Sequence, residues 1–580
     1  MVRQPYRPNN MRRLLRVALV LAASLPLLFA NVTTLSNPQS PAQVLATSKW
    51  PTYEDVTDKA NLHFRHSFGE QKLSSVMEAT GSGCVWFDYN NDGLLDLYVL
   101  SGRFIDGVTN HSKLDGQDAT NHLYRNNGDG TFTDVTAQAG VAGKGFAMGV
   151  TVGDYDNDGY DDIYLTNWNS AILYHNNHDG TFTDVTEAAG VQNSHFGVGA
   201  AFLDYDRDGR LDLFVGNYLK FDPNSKKPFY SADAFAGPLD YEGESNRLFH
   251  NNGDGTFTDV SEKAGIANPP GRAMGVTVGD YDNDGWPDIY VANDQMESYL
   301  YHNNHDGTFT NVAVEQGVAY GTNGDTPSAM GPVFADYNND GALDLFVSDM
   351  RYQRLFRNSP KDGFFNDTTL QSGVAQMTGQ YVGWGDAFLD FDNDGWKDAF
   401  IVNGGLHWLV PMEPTLLRNN GDGTFTDVSG DVGPAFKNKV VGRGACFADY
   451  DNDGNVDAFI VVLGGNGVLL HAQPPVGPHN HWLTLKLVGT VSNRDGFGAR
   501  IEASAGDLHQ IVENVPQSGY LSQNDPRPHL GLGSHAEVDL LTIRWPSGTV
   551  QKLEHIKADQ ILTVTEPGQR AAFHAGVKPR

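Results

Sequence analysis

One nine-residue pattern, D-x-[DN]-x-D-G-x-x-D, recurs seven times along this 580-residue chain and restricts it to a repeat architecture. The copies begin at Asp88 (DYNNDGLLD), Asp154 (DYDNDGYDD), Asp204 (DYDRDGRLD) and Asp280 (DYDNDGWPD). They continue at Asp336 (DYNNDGALD), Asp390 (DFDNDGWKD) and Asp449 (DYDNDGNVD). Each has an aromatic at its second position and a glycine five residues upstream, from Gly83 to Gly444. A second unit, L-[YFL]-[RH]-N-N-x-D-G-T-F-T-[DN]-V, falls between copies at Leu123, Leu173, Leu248, Leu300 and Leu416, and in degenerate form at Leu355.

Segments such as Gly149-Val-Thr-Val-Gly-Asp154 and Asp162-Ile-Tyr-Leu-Thr166 are short β-branched and aromatic runs bounded by Gly and Asp, as strands are. The Asp179-Gly180 pair tolerates the positive φ of a tight hairpin. Each repeat therefore reads as inner strand, acidic loop, second strand, third strand, turn and outer strand, the pattern of a β-propeller blade. After the last loop, Gly467-Val-Leu-Leu-His471 matches a third strand, but no outer strand follows. Its counterpart lies out of order at Tyr53-Glu-Asp-Val-Thr57. The expectation is a seven-bladed β-propeller over residues 50–473, its last blade completed from the N-terminus so that no sheet edge stays open.

Oxygens at loop positions 1, 3, 5 and 9, with the carbonyl of position 7, converge on one point. The ligand sets are Asp88, Asn90, Asp92 and Asp96 in loop 1, and Asp154, Asp156, Asp158 and Asp162 in loop 2. Loop 3 offers Asp204, Asp206, Asp208 and Asp212, and loop 4 offers Asp280, Asp282, Asp284 and Asp288. Loop 5 offers Asp336, Asn338, Asp340 and Asp344, and loop 6 offers Asp390, Asp392, Asp394 and Asp398. Loop 7 closes the series with Asp449, Asp451, Asp453 and Asp457. Such all-oxygen cages suit Ca²⁺ better than Mg²⁺, which demands a tighter octahedron and keeps more water. An EF-hand is excluded, because strands flank the loop and position 12 of the second copy is Leu165. The alternative, a set of solvated acidic turns, leaves at least three carboxylates or their amides crowded on each loop without counter-charge. Sites present in every blade read as structural staples, up to seven Ca²⁺ per chain.

The net charge of −31 argues against nucleic acid as a partner, since a phosphate backbone requires a basic face. At the N-terminus, Arg3 to Arg16 precede the apolar run 17–30, which reads as a secretory signal peptide over 1–30, with a linker over 31–49. The run contains Pro26 and is short for a membrane span, so cleavage is favoured over retention as an anchor. The expected location is secreted, periplasmic or extracellular, with no integral membrane partner implied. Pro474 and Pro475 open a linker over 474–481. Alternating segments at 482–488, 499–503, 509–513, 538–545 and 560–564 then predict a small β-sandwich-like domain over 482–567, with a tail over 568–580. The fold class is all-β.

The acidic repeats resemble FG-GAP/VCBS propeller repeats. Ser492-Asn-Arg-Asp-Gly-Phe-Gly-Ala-Arg500, Ser518-Gly-Tyr-Leu-Ser-Gln523, His529-Leu-Gly-Leu-Gly533 and Arg544-Trp-Pro-Ser-Gly548, in that order, resemble the ASPIC/UnbV domain. The combination is similar to the cartilage acidic protein family and its bacterial-type members. The resemblance implies a secreted calcium-binding propeller and no established reaction. The chain lacks the Cys-rich module of animal relatives, which puts their matrix roles in doubt here.

Candidate ligand positions precede the inner strands, at Glu78, Lys144, His195, Arg272, Trp384 and Arg443, or form a polar cluster of Arg494, Asp495, Arg500, Tyr520, Ser522 and Gln523. The alternatives are ordinary loop residues and loop-tethering hydrogen bonds. The insertion 217–246 carries Tyr218, Phe221, Phe229, Tyr230, Phe235 and Tyr241, and His407-Trp408 is a similar feature; each suits either a stacking surface or local packing. Cys84 and Cys446 lie four and three residues before their loops, which predicts opposite faces and no disulfide. No G-x-S-x-G, H-E-x-x-H or P-loop is present. The leading expectation is a binding or scaffold module for an extracellular protein or glycan. The alternative is a secreted enzyme acting on a polysaccharide or small molecule at the channel mouth or domain junction.

Overall fold

A computed structural model describes residues 49–69, 72–105, 108–109, 119–225, 235–406, 408–475 and 479–568. The expected signal segment, nearly all of the first linker, Phe229, Tyr230 and His407 lie outside the described residues. Seven four-stranded antiparallel sheets follow one another. Blade 2 is typical: Ala147–Gly153 pairs with Asp162–Asn167, then Ser170–Asn176, then Phe182–Asp184. The inner strands of successive blades pack on one another, and that of blade 7 packs on that of blade 1, which closes the ring.

The glycine upstream of each loop permits this close approach. A Cβ on Gly149 would lie 2.2 Å from the Val198 carbonyl of the next blade, and one on Gly275 would lie 2.1 Å from that of Met330. Blade 7 consists of Gly442–Ala448, Asp457–Val462 and Val468–Gln473, and Thr52–Asp55 supplies its outer strand, Tyr53 opposite Ala472. Tyr53 is buried against Phe400 and Phe436 of blade 6, and its hydroxyl donates to the Val456 carbonyl at 3.2 Å.

Cys84 and Cys446 correct the expectation drawn from strand alternation. Both thiols are free and buried, and they meet in one core between blades 1 and 7. In stacked sheets, the face one blade turns to its neighbour is the reverse of the face it receives. Opposite parity along the two strands is therefore what brings the side chains together.

The C-terminal domain pairs two sheets over an apolar core that includes Leu483, Ile501, Leu541 and Trp545. One sheet holds His529–Gly533, His481–Val488 and Gln560–Thr565; the other holds Leu508–Glu513, Arg500–Ala505, Glu537–Arg544 and Val550–Lys557. Two of these strands escape the sequence pattern. His529–Gly533 is short and glycine-rich, and Val550–Lys557 is a largely exposed edge strand without apolar alternation.

Residues 515–525 leave this domain and enter the centre of the ring. Their backbone bonds with the inner strands of four blades: Gly519 N donates to Pro332 O, Gln523 N to Cys84 O, Asp525 N to Phe447 O, and Leu521 O accepts from Val150 N. Gln523 Oε1 accepts from Val152 N and Thr151 Oγ1, and its Nε2 donates to Val152 O. Tyr520 is fully buried and donates to Thr80 O, at the end of the helix Val76–Thr80. The channel is thus filled by protein.

Tyr53→Ala is expected to cost about 3–5 kcal/mol by opening a cavity at the ring seam. Urea and thermal unfolding measure this, and an unchanged midpoint would contradict closure by this strand. Gln523→Ala strands the Val152 N–H and C=O in the channel and is expected to cost about 2 kcal/mol, read by the same curves.

Candidate metal centre

The seven loops share one backbone geometry, set by residues at positions 4 and 6. Position 4, Asn in six loops and Arg207 in loop 3, holds φ between 54° and 63°, and the position-6 glycine holds φ between 85° and 96°, the left-handed region that Asn and Gly tolerate best. This turn aims two N–H groups at the first aspartate. In every loop its Oδ1 accepts from position 5 and its Oδ2 from position 6, at 2.7–3.1 Å. Across the turn, Oδ1 of the position-9 aspartate accepts a third-strand N–H at 2.7–2.8 Å. The carboxylates are held from outside; in loops 1, 3, 5, 6 and 7 the second oxygen of position 9 also accepts the position-2 N–H at 3.2–3.4 Å, whereas in loops 2 and 4 it has no partner.

Asparagines chain the loops together. The position-4 amides of Asn91, Asn157, Asn283, Asn339 and Asn393 each donate to the position-6 carbonyl of the next loop. The asparagine at the end of each third strand (Asn126, Asn176, Asn251, Asn303, Asn358 and Asn419) donates to the position-2 carbonyl of the preceding loop at 2.6–2.9 Å. Neither role is deducible from one repeat; recurrence of Asn at both positions is the signal that marks them.

The electrostatics are those of a site built for a cation. Burial, then neighbouring carboxylates, pushes Asp154 up to about 10. Burial also pushes Asp96 and Asp449 up to about 8, and Asp212, Asp288 and Asp457 to about 7. Asp162 Oδ2 and Asp288 Oδ2 are buried with no hydrogen-bond partner. Oxygens left unpaired among like charges fit a divalent cation. Ligand atoms of Asp156, Asp162 and His175, and of Asp451, Asp457 and His471, lie within 4.8 Å of one another. The third-strand histidines are ring neighbours that sequence reasoning did not assign to the loops.

The C-terminal domain touches all seven loops. Lys486 lies 3.8 Å from Asp88 of loop 1, and Asp495 accepts from Asp154 N of loop 2 at 2.9 Å. Arg207 of loop 3 donates to Pro546 O, and Glu513 accepts from Asp280 N of loop 4. Arg500 donates to Gly341 O of loop 5, and His529 bonds Asn393 of loop 6. Arg527 donates to Asn452 and to Asp449 O of loop 7.

The ligand candidates divide accordingly. Trp384, Arg443 and Tyr520 come together inside the ring. The Arg443 guanidinium lies 3.8 Å over the Trp384 ring, whose centroid is 5.1 Å from that of Tyr520. Arg443 donates to the carbonyls of Ala79, Gly405 and Gly442, and burial lowers its pKa to about 9. Gln523 spends its polar groups on the propeller, as above, while Arg500 gives one N–H to Gly341 O and otherwise lies beside Glu502 and Glu513 of its own domain. Arg494 bonds Asn157 through its backbone N–H, and its side chain is exposed. Glu78 is buried and caps the helix Val76–Thr80, while Lys144 is exposed near Asp184. His195 is paired with Glu244, and Arg272 donates to Tyr241 O. Within the 217–246 insertion, Phe221 packs on Trp168 and Tyr241, and Tyr218 donates to Asp294.

Fold and loops together define a β-propeller with a ring of carboxylate sites that could hold metal ions, crowned by a β domain. The FG-GAP-like repeat model matches residues 88–165, 154–215, 231–291, 280–347, 336–401 and 390–460, and the chain belongs to that family. The ASPIC and UnbV model matches residues 489–571. Cartilage acidic protein 1 of Homo sapiens is 27% identical over 430 residues, covering 70% of this chain and 60% of that protein. Its Mus musculus counterpart is 26% identical over 442 residues, covering 70% and 62%. The chain thus spans about three-fifths of the length of these relatives. Among solved structures, an Agrocybe aegerita lectin described as recognising non-reducing terminal N-acetylglucosamine is similar, with a TM-score of 0.35 and 16% identity over 66% of this chain and 86% of that one. Saccharomyces cerevisiae Sqt1 matches with a TM-score of 0.38 and 10% identity, over 74% and 100%.

A carboxyl whose folded pKa lies above its unfolded value favours the fold while protonated, and that contribution is lost as pH rises through the folded pKa. With Asp212, Asp288 and Asp457 at about 7 and Asp96 and Asp449 at about 8, chelated protein should lose this contribution progressively from about pH 4, the ordinary carboxylate value, to about pH 8. His66 and His529, lowered by burial to about 3, offset part of that loss below about pH 6.5, where their unfolded imidazoles are protonated, so the fall is clearest between about pH 6.5 and 8. Melting curves in excess chelator should move down over this range and stay level with excess divalent cation. A rise in chelator would contradict the assignment.

Proposed function

We propose that this protein is an exported calcium-binding propeller that acts as a binding or scaffold module for protein or glycan. The observation that carries the reading is the ring of seven carboxylate loops on which the C-terminal domain rests. Ca²⁺ supplies two positive charges and accepts oxygen ligands in flexible geometry, which suits loops of three or four aspartates plus a position-7 carbonyl. Position 1 is held by backbone N–H groups and position 9 by the third strand, so these residues orient the cage, and the C-terminal domain sits on a platform whose repulsion calcium relieves. Export is supported by the basic-then-apolar segment over 1–30. No helix among the described residues is long and apolar enough to cross a membrane. For ligand capture we assign the blade-6 loop with Trp408, Leu409 and Val410, exposed by 59%, 38% and 45%.

Calcium is expected to raise the melting temperature of chelator-treated protein by well over 10 °C, because each site filled at a hundred times its Kd adds about 2.7 kcal/mol. Full stability retained in excess chelator would sink the calcium reading. A glycan array and a panel of purified secreted proteins, probed with and without chelator, test the binding role. Trp408→Ser is expected to weaken capture at least several-fold with an unchanged melting temperature. Turnover of an array glycan in place of retention would favour an enzyme.

A further inference from the structure

The C-terminal domain does not seat flush on the propeller. Between loops 3 and 4 and the strands Arg500–Ala505, Leu508–Glu513 and Glu537–Arg544 it leaves a cavity of about 560 Å³, within the size range of small-ligand sites. Arg544 and Val550, both about half exposed, mark where it meets solvent. The Trp408 loop lies at the other end of its blade, because it follows the strand Asp398–Asn403, whose start adjoins the acidic loop.

Both domains aim hydrogen-bonding groups into this cleft. Arg207 of loop 3 is fixed through Nε to Pro546 O at 2.8 Å and lies 5.2 Å over the Trp286 ring, which stacks in turn on His305. Its Nη1 and Nη2 have no hydrogen-bond partner among the described residues. Arg544 gives Nε to Glu502 Oε1 at 3.2 Å, and its two Nη groups are likewise unpaired. Glu513, its side chain 5% exposed, spends Oε2 on Asp280 N at 3.0 Å. Its Oε1 makes no hydrogen bond among the described residues, and Arg500 Nη1 is 3.9 Å away. A carboxyl this buried, with one oxygen unpaired beside a cavity, is costly unless something fills that place.

The mixture of groups selects the ligand. A simple anion would answer the guanidinium groups but face the carboxyls of Glu502 and Glu513; a simple cation would face the arginines. A hydroxyl accepts from a guanidinium and donates to a carboxylate, and it suits Glu513 whether that carboxyl is ionised or protonated. A sugar carries several hydroxyls around a ring whose C–H faces match apolar side chains, which Phe497, Pro516 and Val550 supply in the same lining. We infer that the cleft between loops 3 and 4 and the C-terminal domain binds a short oligosaccharide. This gives the binding role proposed above a glycan ligand at a second site, independent of the Trp408 loop.

Isothermal titration calorimetry of the full chain in calcium-containing buffer tests it. The probes are dimers to tetramers of cellulose, chitin, xylan and polygalacturonate, with succinate as a simple anion. At least one saccharide is expected to bind at one per chain. Arg544→Ala and Glu513→Gln should each weaken it about tenfold or more, the weight of a hydrogen bond to a charged group. Val550→Trp, which fills the mouth from an exposed edge strand, should abolish binding at an unchanged melting temperature, and Trp408→Ser should leave binding intact. No saccharide bound, succinate bound alone, or saccharide binding unmoved by Arg544→Ala and Val550→Trp overturns the assignment. Binding lost in Trp408→Ser but kept in the cleft variants overturns the cleft while leaving the blade-6 loop as the glycan site. If Glu513→Gln lowers the melting temperature through its bond to loop 4, the two variants at exposed positions decide.

Discussion

Mutual repulsion of buried carboxylates is the constraint from which this structure follows. Three to five aspartates stand on each of seven short loops, and burial raises many of them far above the usual carboxylate range. Such an array folds only if most of these oxygens are met. Backbone N–H groups meet position 1 from within the turn, third-strand N–H groups meet position 9, and the second position-9 oxygen is left without a partner only in loops 2 and 4. The left-handed backbone at positions 4 and 6, and hence the Gly at position 6 and the Asn at position 4 of every loop but the third, builds this arrangement.

The same loops organise the ring and the second domain. Asparagine amides pass from one loop to carbonyls of the next, so the ligand positions form one hydrogen-bonded belt. The C-terminal domain rests on that belt through a contact at every loop and sends 515–525 down the channel. Tyr520, Trp384 and Arg443 then share the interior. The belt, the crown and the plug are therefore coupled, and a change in loop charge acts on the platform beneath the domain.

The repeat made the blade count and strand order legible, because a glycine, an acidic loop and an Asp-Gly turn recur in fixed sequence. The displaced Tyr53 segment announced ring closure for the same reason. The candidate cages were equally legible from position and residue type. Less visible were the strand His529–Gly533, whose glycines break alternation, and Val550–Lys557, whose edge position leaves it polar. The facing of Cys84 and Cys446 was misjudged because parity along one strand says nothing about which face a neighbouring blade presents. The third-strand His and Arg residues looked like ordinary strand positions, since their distance to a loop depends on how the sheet folds back over it.

The sequence alone determined a sevenfold β architecture, the oxygen chemistry of its loops and the composition of its C-terminal motifs, since all three are carried by local pattern and spacing. Only the tertiary structure decided that the motif around Tyr520 and Gln523 plugs the channel and that the crown reaches every loop. It alone also decided that four loops face an imidazole while two others pair with a third-strand guanidinium. Those facts depend on packing between segments up to several hundred residues apart, where the shape of the ring, and no local preference, sets which side chains meet.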